Sequence, residues 1–167
     1  MENELEKIYH VTNSDIIKHT LFSLVTIAKS KTTDQYAWSV IKNLLNELKK
    51  NHEFLKYIHI GEIEKLKNKI DDILITPEFN NIKPEKIGEA IQDIVDYFKT
   101  NMGKKAGYFF LTEFKDDLGE EYNIIIKKIG VDLRLIDLKK EVYGFESKKY
   151  RIKDDFNSNI AYLQKKE

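Results

Sequence analysis

Between Pro84 and Gly103 the apolar residues Ile87, Ile91, Ile94, Val95 and Phe98 fall on one helical face, with proline at the start and glycine at the end. A strand would divide those five residues between its two sides, because alternate residues of a strand point in opposite directions. This segment therefore has to be an amphipathic helix, and a helix of that kind needs other elements to cover its oily face.

The rest of the chain supplies them. Asn13 and Ser14 are candidate N-caps for a helix carrying Ile17, Leu21, Leu24 and Ala28 and ending near Ser30. Thr32 and Gln35 have the spacing of a capping box, ahead of a stripe at Tyr36, Ala37, Val40, Ile41, Leu44, Leu45 and Leu48. The stretch "FLKYIHI" from Phe54 to Ile60 fits either a short strand or a helical turn. Ile63, Leu66, Ile70 and Ile73 trace a third helix that Thr76-Pro77 must stop. A fifth helix places Gly107, Phe110, Leu111, Phe114 and Leu118 on one side and most of Glu113, Asp116 and Asp117 on the other. Past Gly119, Tyr122, Ile125, Ile126 and Ile129 form a sixth, with Gly130 as its C-terminal cap. "VDLRLIDL" from Val131 to Leu138 suits either period and is assigned to helix.

The expected fold is mainly α, one compact domain of six or seven amphipathic helices with at most a short strand or hairpin near 54–60 or within 131–153. Residues 1–145 form the helical domain and 146–167 an arm or tail of it, since apolar periodicity fades there. The expected core centres on Leu44, Leu48, Ile91, Ile94, Phe98 and Phe114.

Charge narrows the function. The 167 residues carry 28 basic and 28 acidic side chains, so no global field draws the chain to nucleic acid or anionic lipid. Only Arg134 and Arg151 are arginines, which disfavours reading of guanine edges. Without cysteine there is no disulfide, thiolate ligand or thiol nucleophile. The acidic, polar start from Met1 to Lys7 is unlike a signal peptide, and no apolar run is long enough to cross a membrane. A cytoplasmic protein without membrane attachment is expected.

Four groups of residues bear on chemistry. His52 and His59 are seven apart, with Glu62 three further on, but the spacing matches no zinc or di-iron motif. The acids Glu113, Asp116, Asp117, Glu120 and Glu121 lack the alternation of a calcium loop and form a solvated face. Gly103, Lys104, Lys105 and Gly107 follow a helix where a phosphate loop follows a strand, so they make a turn. In the fourth, Lys139, Lys140, Lys148, Lys149, Arg151 and Lys153 alternate with Tyr143, Phe145 and Tyr150, giving residues 139–153 a local charge of +4. That composition suits a single-stranded nucleic acid, and it also complements the −4 carried by residues 113–121.

No catalytic residue, cofactor or metal is assigned. The expectation is a non-enzymatic interaction or regulatory protein that pairs as a homodimer or binds another protein. Its surface is expected to comprise Tyr108, Phe109, Asp116, Asp117, Glu120, Tyr143, Phe145, Lys148, Lys149, Tyr150 and Arg151. The alternative is a nucleic-acid-binding protein using 139–153.

Overall fold

The computed structural model describes residues 10–136. It is mainly α. In chain order the elements are α1 (Asn13–Lys31), α2 (Asp34–Leu48), β1 (Ile58–Ile60), β2 (Ile73–Ile75), α3 (Pro84–Met102), α4 (Phe110–Leu118) and α5 (Glu120–Lys128). Short 3₁₀ turns fill most of the connections. The described residues up to Val131 are one compact unit, and Asp132 begins a second. Of that second unit the structure describes the helical residues 133–136 and the Arg134 guanidinium, which grips Asp132 at 3.1 and 3.2 Å. The hydrogen bond from Arg134 holds the Asp132 carboxyl below its ordinary pKa. The expected boundary at 145 lies outside the described residues.

Helix α1 is central and meets every other helix of its unit. It is accordingly buried on more than the expected stripe, with Ile16, Val25 and Ile27 enclosed beside Ile17, Leu21, Leu24 and Ala28. Its cap is Thr12, which exchanges hydrogen bonds with Asp15 in a capping box. Asn13 and Ser14, the sequence candidates, have other work. Asn13 is fully buried and donates to the carbonyls of Phe79 and Ile82, while Asn80 Oδ1 accepts from the Ser14 N–H and hydroxyl. These bonds tie the turn at Pro77–Asn81 to the start of α1.

Helix α2 starts one residue later than expected, with Thr33 as cap and Tyr36 N as its donor. Trp38, absent from the expected stripe, is buried, and Tyr36 at the head of it is 40% exposed. All six residues of the expected core are buried.

The third helix expected over 63–73 does not form. Asn68 adopts φ +61°, and Asp72 Oδ2 accepts from the N–H groups of Lys67 and Lys69, which a helix would direct to carbonyls. Ile73–Ile75 instead pairs antiparallel with Ile58–Ile60, so "FLKYIHI" is a 3₁₀ turn followed by a strand. Its β-branched content and the matching isoleucines at 73 and 75 favour that pairing.

Helix α3 runs as expected, and it approaches the end of α5 at Gly88. A Cβ there would overlap the Ile129 carbonyl, whose carbon would lie 2.8 Å away. Helices α4 and α5 share one joint, Gly119, which closes the first and opens the second at φ +92°, ψ 159°, a conformation open to glycine alone. Asn123 locks it by donating to the carbonyls of Lys115 and Gly119 at 2.8 and 2.7 Å.

Candidate functional site

Helix α4 begins at Phe110 rather than Gly107, because Gly107 takes φ +86°, ψ 160° and ends the preceding turn. That boundary decides how three consecutive aromatics are used. Phe110 points inward and stacks between Phe98 and Phe114, with centroids 5.4 and 6.3 Å away. Tyr108 and Phe109, outside the helix, remain 85% and 66% exposed, their rings edge to face at 4.9 Å. Neighbouring Lys104 and Lys105 are exposed on the turn Gly103–Ala106. The Lys105 ammonium stands 4.8 Å from the centre of the Tyr36 ring. Lys31 passes close to Gly107 and ends on Glu113 at 3.2 Å. The result is an aromatic and basic surface formed by Tyr36, Lys104, Lys105, Tyr108 and Phe109, next to buried Phe110.

Asp116 and Asp117 are exposed in the last turn of α4, and Glu120 and Glu121 open α5. The helix dipoles act on them in opposite ways. Carboxylates at the C-terminal end of α4 are disfavoured, whereas those at the N-terminal end of α5 are stabilised. Of the expected surface, then, Tyr108, Phe109, Asp116, Asp117 and Glu120 are solvent-facing on adjoining elements. Tyr143, Phe145, Lys148, Lys149, Tyr150 and Arg151 lie outside the described residues, and with them the matching of 139–153 to 113–121.

Sequence reasoning missed the part played by Tyr36, Lys104 and Lys105. The lysine pair two residues before a glycine and three aromatics was the available signal, but no local pattern connects it to Tyr36, nearly 70 residues earlier.

The histidines are dispersed. His52 Nε2 meets Asp93 Oδ2 at 2.7 Å, His19 stacks on Tyr122 at 4.2 Å, and exposed His59 lies on β1. Among the described residues no three His, Asp or Glu side chains converge as a metal site. No helix of the described residues is long and apolar enough to cross a membrane. Compared with known protein families, curated proteins and solved structures, the chain matches none.

Proposed function

We propose that this protein is a non-enzymatic interaction protein that pairs with a second copy of itself through the Tyr108–Phe109 surface. One observation carries the reading: two large aromatic side chains project into water from a stretch of backbone set between the glycine turn at Gly107 and buried Phe110. Rigid exposed aromatics lose little side-chain entropy on docking and are the usual anchors of interfaces. The distribution of charge favours a second copy as the occupant. Lys104 and Lys105 precede α4, and Asp116 and Asp117 end it about 10 Å further along its axis. Two copies related by a twofold axis, with their α4 helices antiparallel, bring each lysine end to the other's acidic end and the aromatics to the centre.

The test is sedimentation of the full chain across a range of concentrations, beside a Tyr108→Ser, Phe109→Ser double variant. A reversible dimer that the variant loses while keeping its helical circular dichroism is the expected result. A chain that stays monomeric up to its solubility limit overturns the proposal.

A second reading follows from the cation over Tyr36. Exposed rings beside exposed lysines also suit the stacked bases and phosphates of a single-stranded nucleic acid. Tight, salt-sensitive binding of labelled oligonucleotides, lost in the same variant, would favour it.

A further inference from the structure

A second feature lies away from that surface, between α2 and β1. There a depression of about 320 Å³ is lined on the helix side by Lys42, Asn43, Leu45, Asn46 and Lys49 and on the strand side by Ile58, His59 and Ile60. The helix residues follow the i, i+1, i+3, i+4, i+7 spacing of one face over two turns, a length of about 10 Å. From Ile58 to Ile60 the strand runs about 7 Å. Successive side chains of a strand point to opposite faces, so a depression that touches all three consecutive residues runs along the strand's edge. The feature is a groove with one helical and one extended wall.

The extended wall has main-chain groups available. β1 pairs with β2 in the register Ile58 to Ile75, His59 to Leu74 and Ile60 to Ile73, and Thr76 N donates to Tyr57 O at 3.0 Å. Antiparallel pairs alternate between hydrogen-bonded and non-hydrogen-bonded, so with Tyr57 and Thr76 bonded, His59 and Leu74 are bonded too. Ile58 and Ile60 then direct their main-chain groups to the outer edge of β1. The Ile58 N–H turns back to Leu55 O, which leaves the Ile58 carbonyl and both groups of Ile60 facing outward. The charge of the groove is one-sided. Lys42, Lys49 and His59 line it with the two asparagine amides, and none of its lining residues is acidic. Lys42 also donates to Gly61 O at 3.0 Å, fixing its ammonium at one end.

We infer that the α2–β1 groove binds an acidic peptide segment in extended form, which adds to β1 as a third strand and places its carboxylates against Lys42 and Lys49. Main-chain hydrogen bonds to Ile58 and Ile60 supply the register, and the lysines select the sign of the peptide's side chains.

Fluorescence anisotropy of the full chain with a short labelled peptide of alternating aspartate and valine tests this. The acidic peptide is expected to bind and to weaken as salt rises, and a lysine–valine peptide is expected not to bind. Charge reversal by Lys42→Glu with Lys49→Glu should weaken binding about tenfold or more. Both lysines are on the surface, and circular dichroism checks that the variant folds. An acidic peptide N-methylated at alternate residues, unable to form the ladder, should also fail. The Tyr108→Ser, Phe109→Ser variant should bind like the parent, which separates this groove from the self-association surface. Absence of binding, equal binding of both peptide charges or indifference to N-methylation overturns the proposal, as does displacement of the peptide by a short oligothymidine.

Discussion

The indole N–H of Trp38 donates to Asn68 Oδ1 at 2.7 Å, across 30 residues of sequence. The same amide donates to Asp34 Oδ2 at 2.7 Å, so one asparagine joins an irregular segment to the first two turns of α2. Replacing Asn68 by alanine orphans the buried indole N–H and is expected to cost about 1–3 kcal/mol. Asn68→Gly loses the same bonds but relieves the left-handed backbone at φ +61°, so it should cost about 1 kcal/mol less. Chemical denaturation of the two variants gives the comparison, and equal losses would show that the backbone at 68 carries no strain.

Gly88 gives an opposed pair of effects. Alanine in the middle of a helix normally gains about 1 kcal/mol over glycine. Here its Cβ would overlap the Ile129 carbonyl, which belongs to backbone and yields less readily than a side chain would. Gly88→Ala is therefore expected to destabilise by about 1–3 kcal/mol. A rise in the denaturation midpoint would mean that α3 and the end of α5 lie further apart.

Leu44 faces the core from the centre of α2 and is 1% exposed. Leu44→Ala should cost about 2–5 kcal/mol in chemical denaturation. A loss below about 1 kcal/mol would contradict its burial.

The helices that sequence disclosed are those whose packing follows a single period. Ile87, Ile91, Ile94, Val95 and Phe98 are all buried, and proline and glycine bound α3 as their chemistry requires. The segment from Ile63 to Ile73 also has helical spacing, yet its donors are taken by Asp72 and its final residues pair with a strand 15 positions earlier. Spacing along the chain carries no information about either. The caps failed for a related reason. Asn13 has the right chemistry for an N-cap, but the carbonyls of Phe79 and Ile82, nearly 70 residues away, claim its amide and leave the cap to Thr12. Among the aromatics the sequence showed that three in a row could not share one core, and Gly107 decided which was buried.

Tyr122 links the fold to high pH. Burial first, then the negative charges of Asp15 and Glu121, raise its phenol above the ordinary pKa of 10.0. The neutral phenol is thus held more firmly in the folded chain than in the unfolded one. That contribution is present below pH 10 and is lost as pH rises past 10 toward the folded value. Stability measured from about pH 9 to about pH 11 should fall less steeply in Tyr122→Phe than in the parent. Parallel curves would remove Tyr122 from the account.

The proposed dimer predicts a rescue. Lys104→Glu with Lys105→Glu should weaken self-association, and adding Asp116→Lys with Asp117→Lys should restore it, because the antiparallel arrangement reverses both ends together. Removing acid from the last turn of α4 should also stabilise the monomer, by about 0.3–1 kcal/mol. Sedimentation and denaturation of the same variants read the two effects separately. Failure of the quadruple variant to pair would leave the charges without a part in self-association.

The shared glycine at 119 limits how this chain can change in length. One added residue between α4 and α5 would undo the joint that Gly119 alone now makes and carry Asn123 off the carbonyls of Lys115 and Gly119 that it joins. The segment from Glu62 to Leu66 contains no residue that both closes one helix and opens the next, so an extra residue there leaves the bonds at Gly61, Lys67 and Asn68 in place. Relatives of this protein should therefore differ in length before Asn68 and keep a single residue between α4 and α5.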